Sequence, residues 1–230
     1  MRLISAIWAD LRFQMKQGFL LVYVAITIMY LVILSFLPAD ILRITLPLVV
    51  FSDPSVLGMF FIGGIILLEK SQGVLTVLVV TPLRTEEYVI AKVISLTIIG
   101  VLIACAITGF GNYQGVNWLL LIVSTALTSG IFTMLGIIIN AGCNTVNEYM
   151  LETSGYMLLF IIPCFSLVGF PYSNLFTIVP SVAALRLMLG AYMGIAWLEA
   201  IGLILLLIAA NYLLFKWTVR VFERNVVFQD

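Results

Sequence analysis

Apolar residues in this chain fall in long blocks, and polar residues, glycine and proline mark the breaks between them. The first block, Gly18 to Leu37, carries no charge and is long enough to cross a bilayer as a helix. Pro38-Ala39-Asp40 ends it. The second runs from about Ile44 to Leu68 and is interrupted by Ser52-Asp53-Pro54. A proline removes a backbone donor, so this span is either kinked or begins with a separate short piece. Glu69-Lys70 closes it. The third block is about Val89 to Phe110, with Lys92 able to snorkel from its first turn. Gly111 to Gly115 reads as a turn. The fourth block runs from Trp118 to Asn140, and a polar loop follows from Ala141 to Ser154.

From Gly155 to Phe215 only Arg186 and Glu199 are charged. Three full spans would need about 60 residues before any loop is counted, and would set Arg186 near mid-membrane. The pattern instead predicts a fifth span from Gly155 to Phe170 and a sixth from about Trp197 to Trp217. Between them a re-entrant hairpin dips into the outer leaflet over about Leu175 to Tyr192, broken by Pro171, Pro180 and Gly190. Non-helical backbone at membrane depth is tolerated where protein covers it. Ahead of the first span, Leu3, Ile4, Ile7, Trp8, Leu11 and Met15 recur at steps of three and four, which is one helical face. Residues 1–17 therefore read as an amphipathic helix in the membrane surface, with Trp8 at headgroup level. Arg2, Asp10, Arg12 and Lys16 interrupt its apolar residues, so it does not read as a cleavable signal.

Composition agrees. The chain is 63% hydrophobic and 10% charged, with a mean hydropathy of +1.21, where a soluble domain carries roughly 25% charged residues. An all-α integral membrane protein is the expected class, with 230 residues forming a single transmembrane domain of six spans. Charge placement sets the orientation. With both ends inside, Arg2, Arg12, Lys16, Lys70, Arg84, Lys92, Lys216, Arg220 and Arg224 are cytoplasmic, and only Arg43 and Arg186 lie outside. A plasma (inner) membrane location with both termini in the cytoplasm follows. Histidine is absent, which removes Ser-His-Asp and Cys-His nucleophiles, H-E-x-x-H zinc sites and histidine haem ligands. Cys105, Cys143 and Cys164 form no C-x-x-C pair and read as small apolar residues. No metal site, bound cofactor or nucleic-acid partner is expected.

Between Glu69 and Pro82 the chain reads E-K-S-Q-G-V-L-T-V-L-V-V-T-P. This stretch is apolar yet lies on the water side, between two spans. It can pack against the protein's own helices or dock a partner. Leu75, Leu78, Val79 and Pro82 suit a helix laid into a groove, whereas the β-branched Val74, Thr76, Val77, Val79, Val80 and Thr81 favour a strand. Propensity leaves the choice open.

Glu69, Gly73, Leu75, Leu78, Thr81 and Pro82, followed by Tyr88 and Lys92 at the opening of the next span, resemble the cytoplasmic coupling segment of type-2 ATP-binding-cassette exporter permeases. The interfacial first helix, six spans and outer hairpin extend that resemblance over the whole chain. One departure is Gly73-Val74, where such permeases usually have Gly-Thr. The resemblance implies that residues 69–88 form a short coupling helix against an ATPase. It also implies an ATPase dimer and a second permease copy, identical or related, as partners alongside membrane lipid.

The chain has no nucleotide-hydrolysing loop: Lys70-Ser71 is preceded by Glu69, where the phosphate-wrapping motif requires glycine. It is therefore expected not to be an enzyme, with ATP and Mg held by the partner. Glu148 and Glu152, four apart, are either a solvated face or a second ATPase contact. Asp40, Arg43 and Asp53 cluster toward the outer side as interfacial charges or a gate. Asp53 and Arg186 are the candidates for that gate, with snorkelling the rival reading for Arg186. The expected function is outward movement of an apolar or amphipathic substrate (a drug, a lipid-like molecule or a small peptide). The alternatives are a haem-export permease of cytochrome c biogenesis and a non-transporting immunity or sensor protein.

Overall fold

The computed structural model describes residues 2–52, 56–74, 84–110, 115–164 and 178–224. In chain order its helices are α1 Arg2–Lys16, α2 Phe19–Ser35, α3 Ala39–Val50, α4 Leu57–Ser71, α5 Thr85–Phe110, α6 Trp118–Asn140, α7 Val146–Ile161, α8 Pro180–Met193 and α9 Trp197–Phe222. No strand occurs among the described residues. Among the described residues, three helices, α5, α6 and α9, are long and apolar enough to cross a membrane, or four spans if the bent pair α1–α2 counts as one.

Local chemistry explains the helix ends. Gly18 has φ +80° with no atom near its missing side chain, so backbone freedom alone calls for glycine there. It turns the chain by 67° between α1 and α2. Pro38 starts α3, and the apolar stretch from Ile44 to Leu68 is divided between α3 and α4, on either side of Pro54. Asn117 caps α6 by accepting from the Leu120 N–H at 3.2 Å. Pro180 occupies the first turn of α8.

The structure corrects the expected polar loop at residues 141–154. Thr145 accepts from the Glu148 N–H at 3.2 Å and starts α7 at Val146. Thr-x-x-Glu is a capping signature, and here Glu148 reaches back to the Asn144 N–H at 2.9 Å. Glu148 and Glu152 are consequently helical and exposed. The hairpin also differs where it is described. Gly190 lies inside α8 rather than breaking it, because Ile195 packs where a side chain would stand; the turn comes at Gly194, with φ +83°. The remainder of the predicted hairpin, residues 175–177, lies outside the described residues, as do Pro171 and residues 165–170 of the predicted fifth span.

At the centre is α6, which packs against α4, α5, α7, α8 and α9. Its closest neighbours approach through glycine. Any side chain on Gly63 of α4 would collide with the Tyr149 ring from α7, and one on Gly136 of α6 would strike Ile62 and the Met59 carbonyl. The Tyr149 hydroxyl donates to that Met59 carbonyl, and Asn140 donates to the Gly63 carbonyl at 3.2 Å. Tyr149 thus fills a slot that α4 and α6 leave by having no side chain there. By contrast, α9 turns most of its length outward, with Leu198, Leu205 and Leu213 exposed. Exposed Trp197 and Trp217 flank this apolar surface. At 1.5 Å per residue they stand about 30 Å apart, the thickness of a hydrocarbon core, as aromatic belts do.

Candidate functional site

The first helix presents three faces. Arg2, Arg12 and Lys16 are exposed along one, and Ile4, Trp8 and Met15 are exposed along a second, which matches a helix lying between water and lipid. The third face turns to the protein and carries Asp10 and Gln14, one helical turn apart and both buried. The apolar periodicity of α1 thus marks a membrane face, while its contact with the bundle combines the buried polar pair Asp10 and Gln14 with Leu11 and Phe13.

What Asp10 meets is Lys92. The expectation that Lys92 snorkels to water is corrected: it is 2% exposed. Its ammonium is paired with Asp10 of α1 and with Glu69 Oε1 of α4, the latter at 2.5 Å. Tyr88, one turn before Lys92 on α5, donates to Glu69 Oε2 at 2.6 Å. Ser95 Oγ donates to Asp10, and Gln14 Nε2 donates to Asp10 Oδ2 at 2.8 Å and to Ser95 Oγ at 3.1 Å. Four oxygens of two carboxylates are therefore occupied by an ammonium, two hydroxyls and an amide. Buried ionic groups persist only with such saturation, because an unpaired charge in an apolar setting is costly.

Apolar packing surrounds the cluster. Ile62, Ile65 and Ile66 of α4, Leu96 of α5 and Val219 of α9 form one buried group with Tyr88 and Phe222. The Tyr88 and Phe222 rings stack at 5.2 Å and 28°. Phe13 and Tyr88 lie 5.7 and 5.3 Å from the Lys92 ammonium, where ring faces attract a cation.

This arrangement bears directly on residues 69–88. Glu69 is the last buried residue of α4 and Tyr88 the first of α5, and their hydrogen bond ties both ends of the segment together. Gly73, with φ +71°, directs the chain out of α4 through a turn in which its N–H donates to the Lys70 carbonyl at 3.2 Å. Lys70 reaches Asn144, just ahead of α7, at 3.2 Å. Glu87 accepts from the Arg84 N–H at 3.0 Å and caps α5. Leu75, Leu78, Thr81 and Pro82 lie outside the described residues.

The other candidates fall elsewhere. Glu148 and Glu152 stand on the first turns of α7, beyond the Lys70–Asn144 contact. Burial and the carboxylates of Glu152 and Glu148 push the neighbouring Cys143 thiol up to about 11, so it stays protonated near neutrality. Arg186 of α8 pairs with Glu199 of α9 at 2.5 Å, both about a third exposed. Asp53 and the side chains of Asp40 and Arg43 lie outside the described residues. Among the described residues no group of histidine, cysteine, aspartate or glutamate could hold a metal ion. The sequence reading missed Asp10, Gln14 and Ser95. The available cue was the polar pair Asp10 and Gln14, set one turn apart beside an apolar stripe.

Two curated proteins of Mycobacterium tuberculosis strains, each described as a fluoroquinolones export permease protein, are 29% identical to this chain over 135 residues. The matched stretch covers 59% of this chain and 57% of each relative. The sequence model of the fluoroquinolones export permease protein family matches residues 1–230. With several apolar helices long enough to cross a membrane and the family's sequence model matched over residues 1–230, the chain belongs to the fluoroquinolones export permease protein family.

Proposed function

We propose that this chain is the membrane-spanning permease subunit of an exporter, crossing the plasma membrane six times with both termini in the cytoplasm. ATP, with Mg, is hydrolysed on a separate ATPase dimer that docks against residues 69–88. Glu148 and Glu152 serve as a second contact. Two permease copies, identical or related, enclose the pathway. The observation that carries this reading is the ionic clasp. Through Asp10–Lys92–Glu69 and Tyr88–Glu69, a push on the segment reaches α1, α4 and α5 together, and Tyr88–Phe222 passes it to α9. A load on an apolar cytoplasmic segment needs such a stiff root, because packed and hydrogen-bonded elements move as units where a loop would bend. At the outer side, Arg186 and Glu199 join α8 to α9 as a latch, with Asp53 as its other element.

The substrate is apolar or amphipathic, since the described spans carry no lumen of free charge, and the description of the curated relatives favours fluoroquinolones within that class. Haem export and a non-transporting immunity or sensor role are the outcomes this reading competes with. The test is co-purification with the ATPase and uptake by inside-out vesicles. Leu75→Asp with Leu78→Asp is expected to abolish co-purification and to reduce ATP-dependent uptake at least tenfold, with the folded permease still present in the membrane. Unchanged association and uptake would remove the docking role.

A further inference from the structure

The first helix carries three cations, Arg2, Arg12 and Lys16, and a single acid, Asp10. Folding separates them. Asp10 turns inward and is spent on Lys92, Gln14 and Ser95, while all three cations stay at the surface. The exposed part of α1 is therefore cationic, with no acid of the same helix to balance it. At about 100° per residue, Arg12, Lys16 and Arg2 fall within an arc of about 80°. The exposed apolar residues Ile4, Trp8 and Met15 fill an adjoining arc. Buried Asp10 and Gln14 lie on the far side of the helix.

The bend after α1 sets the depth of this cationic arc. The chain turns by 67° between α1 and α2, and α2 exposes Leu21, Ile28, Val32 and Phe36 along its apolar length. Where α2 runs through hydrocarbon, α1 is turned toward the membrane plane, and Ile4, Trp8 and Met15 are the residues that enter it. Trp8, Arg12 and Lys16 follow one another at steps of four, one turn apart along the helix. An indole at the hydrocarbon boundary is thus continued by a guanidinium and an ammonium at the level of lipid phosphates. Both cations bind phosphate oxygens through charge-assisted hydrogen bonds. A zwitterionic headgroup brings its own cation to its phosphate. An anionic headgroup does not, so the charge balance favours the anionic one.

We propose that the Arg12–Lys16 face of α1 is a binding site for anionic phospholipid, with the phosphate held by the two cations and an acyl chain laid along Trp8. An acidic protein surface would satisfy the cations but leave Ile4, Trp8 and Met15 beside them in water, so lipid is the better fit. Bound lipid and the clasp then grip opposite sides of one helix, the headgroup on Arg12 and Lys16 and the Lys92 ammonium on Asp10. Lipid at this site therefore steadies α1 against α5. The interaction goes beyond the exporter reading and needs no ATPase.

The test is native mass spectrometry of the purified full-length chain, titrated with phosphatidylglycerol or with phosphatidylcholine of the same acyl chains. A basic side chain near an anionic surface is worth roughly fivefold in binding, so the wild type is expected to prefer phosphatidylglycerol by about tenfold or more. Arg12→Gln with Lys16→Gln should abolish the preference, and Arg12→Lys with Lys16→Arg should keep it. Both side chains are exposed, so each variant is expected to melt as the wild type does in phosphatidylcholine nanodiscs. Replacing part of that lipid by phosphatidylglycerol should raise the unfolding midpoint of the wild type and of the charge-preserving pair, but not of the neutral pair. No preference in the wild type, or a preference that survives Arg12→Gln with Lys16→Gln, would overturn the site. A neutral pair that binds both lipids as the wild type does but no longer co-purifies with the ATPase would also overturn it, giving this face to a protein partner and leaving the exporter reading intact.

Discussion

Lys92→Met is expected to lower the stability of the folded chain by about 3–5 kcal/mol, the usual result of removing one partner from a buried ionic group. The reason is what remains. Asp10 and Glu69 are each nearly inaccessible, and Lys92 is the ammonium they share. Without it two carboxylates face each other across an apolar pocket built from α4, α5 and α9 side chains. Neutralising the whole set should recover most of the loss, because apolar or neutral replacements of similar volume often match a buried ion pair. Asp10→Asn, Glu69→Gln and Lys92→Met together should therefore fold nearly as well as the wild type, measured by thermal unfolding in detergent. That triple variant should still export poorly, because the neutral set no longer holds α1, α4 and α5 as one body. A single Lys92→Met that melts normally would show that the cluster bears no structural load.

Gly63→Ala is the second large effect. The added methyl overlaps the Tyr149 ring, which is itself trapped by a hydrogen bond to Met59 and by close packing at Gly136. Overpacking of this kind costs typically 1–3 kcal/mol and occasionally more. The fully buried ring leaves little room for relief, so about 3 kcal/mol is expected. Tyr149→Ala alone should cost about as much by leaving a cavity. Combined, the two changes should be far less damaging than their sum, because each removes the other's conflict. A thermal-unfolding cycle over the four proteins measures the coupling, and simple additivity would show that the slot and the ring do not oppose each other.

Much of the helical plan was legible because apolar runs and their polar stops are local. The block from Trp118 to Asn140 is α6 as read, and Trp197 begins α9 as read. The start of α7 was equally local, in Thr145-Val146-Asn147-Glu148, but the surrounding polarity favoured a loop reading over the cap. Gly190 was read as a breaker because glycine weakens helices, whereas here it makes room for Ile195. The ionic clasp is another matter. Asp10 and Lys92 are 82 residues apart, and Glu69 and Lys92 are 23 apart. Each charge separately suits a membrane interface, and only the 67° bend after α1 brings Asp10 back onto α5. Periodicity reports which face of a helix is apolar. It does not report whether that face meets lipid or protein, which is why the stripe on α1 was visible while its polar contact face was not.

The claim on which the coupling account stands is that residues 69–88 face the cytoplasm. Gln72 is exposed at the exit from α4 and suits a reporter. With Cys105, Cys143 and Cys164 replaced by alanine, a Gln72→Cys chain can be treated with a membrane-impermeant maleimide. Labelling confined to inside-out vesicles and absent from intact cells is the predicted result, and it should be blocked when the ATPase is bound. Labelling on intact cells would place the segment outside and contradict the account.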